Sequence, residues 1–220
     1  MNIIKNKNNG SNLYQLLENL SDHRREQGRR HQLKLIVMLV IMSLMSGSSS
    51  LRAMGDFIKR NQKELLRVFK PDKDRLPSHQ TIGRALQHID FDELSGVFYS
   101  WALKQVNITG QEWVAVDGKA IAGTVTNSQN KFQQFTGLVS LFISKRKTVL
   151  ASTKLNNKKD NEILKLRELV DMLSLTGVVI TADALHCQAD TLTSIKASGN
   201  DYCIGVKKNQ PNLLRAIKKK

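Results

Sequence analysis

The apolar residues of this chain change period once, near Asn107, and that change limits what each part can fold into. Before it they recur at helical spacing. Leu13, Leu16, Leu17 and Leu20 stand at i, i+3, i+4 and i+7, and Ile82, Ala85, Leu86 and Ile89 repeat the stripe. After it the apolar residues come in short runs rich in β-branched types, WVAVD at Trp113–Asp117 and GVVITAD at Gly177–Asp183. The pattern predicts a helical region over residues 1–110 and an α/β region over 111–220. The 220 residues allow each part a core of its own.

Punctuation sharpens both halves. An apolar helix is expected from about Gln32 to Met45, ended by Gly47 and serines. Its apolar core, Leu33–Met45, is only 13 residues long and contains Lys34, too short to span a bilayer and suited to a buried core helix. Ser50 can cap a helix with Leu51, Met54 and Ile58 inward, and another helix is expected over Gln62–Phe69. Pro71–Pro77 reads as a charged loop, and Ser78 caps the Ile82 helix. Asp90 or Asp92 opens a last helix with Leu94, Val97, Phe98 and Trp101 on one side.

In the second half, Trp113–Asp117, Phe135–Ile143 and Thr148–Leu155 read as strands, the last two joined as a hairpin by SKRK. Asp160 can cap a helix carrying Ile163, Leu166, Leu169, Val170 and Leu173. Gly177–Asp183 is a buried-type strand, Gln188–Ser198 a helix and Tyr202–Val206 a strand. Three strands without helices suggest an antiparallel meander, and the strand–helix–strand units that follow suggest parallel additions. The expected class is α plus α/β: a helical N-terminal region, then a partial ribonuclease-H-like mixed sheet with flanking helices.

Asp117 and Asp183 each follow an apolar run. A single aspartate after a strand is ordinarily a turn residue. Two in equivalent places, on strands about 4.8 Å apart if neighbours, can share hard cations. A pair of Mg²⁺ (or Mn²⁺) ions held there would suit phosphoryl transfer.

Charge points to the substrate. Lys plus Arg number 34 against 19 acids, net +15. The excess is spread along the chain: 17 cations face 10 acids up to Gly110, and 17 face 9 after it. Such a surface favours a polyanion, with nucleic acid before a membrane surface. No aromatic RNA-stacking motif is apparent, which speaks against an RNA-binding protein. Two cysteines, Cys187 and Cys203, form no CxxC, so neither a zinc site nor a disulfide framework is suggested, and a reducing cytoplasm fits.

From Leu16 to Pro211 the chain resembles the H-repeat-associated transposases of bacterial insertion sequences, a DDE family. The matching segments, in order, are DHRREQGRRHQL, SLRAMGDFIKRNQKELL, LPSHQTIGRAL, VAVDGKAIAG, NEILKLRELVDML, ITADALHCQ and DYCIGVKKNQP. The resemblance implies a ribonuclease-H-like catalytic domain behind a helical region. It places the first two catalytic, metal-holding acids on Asp117 in VDGK and Asp183 in TADA. It also implies metal-dependent cleavage and transfer of DNA at transposon ends and target, by a chain that can form a homo-oligomer on DNA in the cytoplasm, at the nucleoid.

In such proteins the third acid, a glutamate, comes well downstream. The last stretch here, PNLLRAIKKK, holds no acid. The expectation is therefore a chain cut short and inactive alone. The alternative is a non-catalytic DNA-binding remnant. Glu162, in the first turn of the expected helix, is a local substitute, although acids there are ordinary partners of a helix N-terminus.

The supporting residues follow. Lys119 can reach a phosphate near the metals, and Lys207, Lys208, Asn209 and Gln210 follow the last strand at the same edge. Arg24, Arg25, Arg29 and Arg30 form the densest basic cluster and are candidates for the DNA backbone. Gln80, Arg84 and Gln87 share an exposed helix face that can read base edges. The loop before that helix is longer than a helix-turn-helix turn. His186 is expected to pack or hydrogen-bond near the strand end, and Cys187 to be a small buried apolar residue.

Overall fold

The computed structural model describes residues 12–105, 112–121, 136–145, 147–156, 159–173 and 175–219. The chain divides into two compact units, Met1–Gln105 and Val106–Lys220.

Among the described residues, six α-helices build the first unit: α1 (Leu13–Leu16), α2 (Leu33–Met45), α3 (Leu51–Arg60), α4 (Gln62–Phe69), α5 (His79–Leu86) and α6 (Phe91–Gln105). The caps explain their starts. Ser50 accepts from the Ala53 amide and Ser78 from the Thr81 amide, each satisfying one orphan donor of a first turn. Asp90 Oδ1 accepts from the amides of Asp92 and Glu93, so Asp90 opens α6. Lys70, in the left-handed region at φ 42°, ends α4 ahead of Pro71.

The core gathers around α2, where Leu35, Ile36, Val37 and Leu39 are buried with Leu17, Met54, Leu65, Ile82 and Ala85. Burial on nearly every side of α2 is what an apolar helix without a polar face requires. The leucine stripe at the start is not one helix: α1 stops at Leu16, a 3₁₀ turn takes Leu17–Asn19, and Leu20 is extended yet buried. Leu51, expected inward, is exposed and lies over Gly83 of α5.

The second unit is a five-stranded sheet in the order β3-β2-β1-β4-β5. Its strands are β1 (Trp113–Ala120), β2 (Thr136–Ile143), β3 (Thr148–Asn156), β4 (Val179–Ala182) and β5 (Asp201–Ile204). The first three pair antiparallel, while β4 joins β1 and β5 joins β4 in parallel, the mixed arrangement the element order predicted. Phe135 and Arg146, in the expected strand and hairpin, lie outside the described residues.

Helix α7 (Lys159–Leu173) connects β3 to β4 and packs on β2 and β3; α8 (Ala189–Ala197) connects β4 to β5 and packs on α7 and β5. Asp160 lies inside α7 rather than before it, because the helix begins at Lys159. One face of the sheet is buried through Val114, Val116, Val139, Leu141, Ile143 and Ile180, with Leu166, Leu169 and Val170 of α7. The other face presents half-buried and exposed residues, Trp113 among them. The final segment, unassigned from the sequence, forms α9 (Pro211–Lys218), with Pro211 in its first turn.

Candidate functional site at the β1–β4 edge

The parallel register of β1 and β4 sets the site. Trp113 pairs with Val179, Val114 with Ile180 and Ala115 with Thr181. Asp117 and Asp183 each follow the last of these pairs, Ala115 and Thr181, by two residues. Both are exposed. Asp117 lies in β1 rather than at its end, but β4 stops at Ala182, so β1 is unpaired on that side beyond it.

Across β1 the register is antiparallel. Asp117 stands opposite Ser140, and Ser140 opposite Ser152, with the two hydroxyls 2.9 Å apart. A polar row thus runs over β3, β2 and β1 towards Asp183. Lys119 is exposed and, two residues along β1, shares the Asp117 face.

Asp183 also does the work of a turn residue. Its Oδ1 accepts from the Leu185 amide at 2.9 Å, capping the 3₁₀ turn Ala184–His186. That turn carries His186 into the interior, 2% exposed, where Nε2 lies 3.3 Å from Glu162 Oε1. The other ring nitrogen, Nδ1, is buried and has no hydrogen-bond partner.

Glu162 reaches the opposite side of β1 from Asp117. A Cβ placed on Gly118 would come within 2.5 Å of its Oε1. Only a glycine lets the carboxylate sit there. Glu162 therefore touches both strand-end segments, one residue past Asp117 and three past Asp183. The sequence named it only as a weak substitute; the sign that could have found it is the glycine directly after Asp117.

Two amides expected on phosphate each make a bond within the protein. Asn209 Nδ2 donates to the Ala184 carbonyl and Gln210 Nε2 to the Cys187 carbonyl, at 2.7 Å for the second. They brace the turn after Asp183, where the Ala184 carbonyl also accepts from the Cys187 amide. Lys207 and Lys208 beside them are exposed. Cys187 is buried, as expected of a small apolar residue.

The basic cluster of the first unit also divides. Arg24 is buried at 6% exposure, with Nε and a terminal nitrogen on the Asp22 carboxylate at 2.8 and 2.7 Å and further donors on the Gly28 and His31 carbonyls. Arg29 donates to the Arg24 and Asp22 carbonyls. The Arg24 guanidinium hydrogen-bonded to Asp22 holds that carboxyl below its usual range. So Arg24 shapes the loop, with its donors on Asp22, Gly28 and His31, and Arg29 is partly committed. Arg25, Arg30 and, on α5, Arg84 are exposed.

Two exposed carboxylates are hard oxygen donors of the kind Mg²⁺ takes. Among the described residues, no group of three or more His, Cys, Asp or Glu is placed to hold a metal ion. Among the same residues, no helix is long and apolar enough to cross a membrane.

A family model described as DDE_Tnp_1-associated matches residues 14–102, most of the helical unit. The “H repeat-associated putative transposase YbfD” of Escherichia coli K12 is 30% identical over 216 residues, 94% of this chain and 82% of the relative. The chain belongs to the H repeat-associated transposase family. Another member, the “Putative transposase YncI” of the same strain, is 32% identical over 197 residues, 89% of this chain and 78% of the relative. Other relatives are longer: the chain spans 55% of “Putative protein YbfL” of Escherichia coli K12 and 50% of the YncI of Escherichia coli O157:H7. A solved structure, the piggyBac transposase synaptic complex with hairpin DNA, matches 89% of this chain and 47% of that chain at 10% identity and TM-score 0.46. The sequence matches to YbfD and YncI span both units of this family member.

Proposed function

We propose that this chain provides the first two catalytic aspartates of a DNA transposase working by metal-dependent strand cleavage and transfer, on a ribonuclease-H-like sheet. The observation that carries the reading is the parallel β1–β4 register from Trp113↔Val179 to Ala115↔Thr181, which, continued two residues, would bring Asp117 level with Asp183. The strand order β3-β2-β1-β4-β5, with three antiparallel strands followed by parallel ones, supports the ribonuclease-H-like assignment.

Asp117 and Asp183 would hold Mg²⁺ or Mn²⁺, which supplies activation of the attacking oxygen and charge stabilisation at phosphorus. Lys119, on the Asp117 face, and Lys207 and Lys208, after β5, would contact DNA phosphates. Arg25, Arg30 and Arg84 would contribute to DNA held by the helical unit. The partners are transposon ends and target DNA, with a second copy of the chain on them, at the nucleoid.

A two-metal centre needs more oxygen ligands than two carboxylates give. The described residues contain no third group placed with Asp117 and Asp183 to hold a metal. Residues 1–220 by themselves are therefore proposed to bind DNA and not to cut it, which is also how a non-catalytic DNA-binding remnant would behave.

The test separates binding from cleavage. Mn²⁺ titration followed by electron paramagnetic resonance should show weak binding that Asp117→Asn or Asp183→Asn abolishes. Binding unchanged in both variants would refute the shared site. Mg²⁺-dependent nicking of transposon-end DNA by the 220-residue chain, lost in Asp117→Asn, would refute inactivity.

A further inference from the structure

The helical unit holds a small concavity of about 90 Å³ whose rim is almost wholly basic. Arg29, Arg30 and His31 reach it from the loop before α2. Lys70, Lys73 and Arg75 reach it from the loop after α4. The two segments are 40 residues apart in sequence, so the fold assembles the cluster, and no local run of charge makes it.

Its floor is built rather than open. The Tyr14 and Phe69 rings meet there with centroids 5.2 Å apart. Lys34 lies over the Tyr14 ring at 5.1 Å and is paired with Glu18, so its charge is spent below the rim. Burial pushes the Tyr14 hydroxyl's pKa up.

The rim is not neutralised. Asp72 is the one acid lining the concavity. Among the described residues, no ion pair engages Arg30, Lys70, Lys73 or Arg75. Bringing like charges together opposes folding unless something compensates. An ordinary solvated face spreads its cations over a convex surface; here they line one small concavity. Planar guanidinium forks and ammonium points around so small a volume suit one tetrahedral phosphate rather than a base or a peptide strand.

We propose that this notch seats a single backbone phosphate of duplex DNA, with Arg30, Lys70, Lys73 and Arg75 as its contacts. The proposal rests on DNA being the partner, as in the function proposed above, and adds the place where the helical unit fixes its position on the duplex. A phosphate contact of this type positions the protein without reading sequence.

The test is fluorescence anisotropy with a labelled random-sequence duplex between 50 and 200 mM salt. One phosphate contact carries a slope of about −0.9 in log affinity against log salt. The Lys73→Ala/Arg75→Ala chain should lose about one unit of slope with its thermal midpoint unchanged, since both side chains are exposed. Asp72→Asn should bind several-fold tighter. The Lys59→Ala/Arg60→Ala chain, with equal charge removed from α3, should keep the wild-type slope.

Equal loss of slope in the α3 control would show generic attraction and overturn the notch. So would an unchanged slope in Lys73→Ala/Arg75→Ala, or tighter binding of duplex RNA with the same dependence on Lys73 and Arg75. Mn²⁺ binding that is absent, or unchanged in Asp117→Asn and Asp183→Asn, would strike the aspartate reading alone and leave the slope intact. The two failures are therefore distinguishable.

Discussion

Glu162 Oε1 lies 3.3 Å from Nε2 of the buried His186 and fills the place a Cβ would take on Gly118. One side chain of α7 thus ties the residue after Asp117 to the turn that follows Asp183. The arrangement depends on glycine at 118 for space and on His186 for a partner.

Gly118→Ala should therefore force the Glu162 carboxylate outward and leave the buried His186 ring unpaired. The loss of a buried hydrogen-bond partner costs about 1–3 kcal/mol, read as a lower urea midpoint. In a Glu162→Ala background the same glycine change should cost much less, because the obstacle has gone. Additive losses in that double-mutant cycle would show that Gly118 and Glu162 do not compete for the same space.

Asp183 has a capping role that can be separated from any metal role. Asparagine caps about as well as aspartate, so Asp183→Asn should leave stability near wild type. Asp183→Ala should cost about 1 kcal/mol through the lost bond to the Leu185 amide. Thermal unfolding without metal reads this directly; equal losses in the two variants would assign the cost to charge instead of the cap.

Asp22 and Arg24 form a structural pair in the loop before α2. The folded-state pKa of Asp22 is lowered, chiefly by the Arg24 hydrogen bond, so its contribution is present above the unfolded value near 3.8 and disappears as pH falls through the folded pKa. Asp22→Asn should cost about 1.5–3 kcal/mol at pH 7 and flatten the acid limb of a stability–pH curve. Arg24→Ala should destabilise the chain while Arg25→Ala, at an exposed position, should not.

Asn209→Ala should loosen the turn after Asp183. Removing its donor from the Ala184 carbonyl costs about 1 kcal/mol and should speed hydrogen exchange at the His186 and Cys187 amides. Exchange unchanged at those amides would show that the turn is held by its own backbone bonds.

The sequence alone determined what acts over a few residues. Period separated the helical part from the sheet part, and Ser50, Ser78 and Asp90 marked helix starts because a cap bonds the next turn of its own chain. The strand–helix order foretold a mixed sheet, and two apolar runs each ending in aspartate marked Asp117 and Asp183. α9 was missed because its apolar residues face no core.

Tertiary structure decided what joins distant segments. The β1–β4 register, which pairs Ala115 with Thr181, is a choice between strands over 60 residues apart. The same holds for Glu162 on His186, for Asn209 on Ala184 and for the meeting of Arg30 with Arg75 around one concavity. Arg24 shows the limit most plainly: in sequence it is one of four similar arginines, and only the closing of its loop around Asp22, Gly28 and His31 takes it out of solvent. Composition fixes how much charge a chain carries; burial and partner, which decide whether a charge serves the fold or a ligand, exist only once the chain has folded.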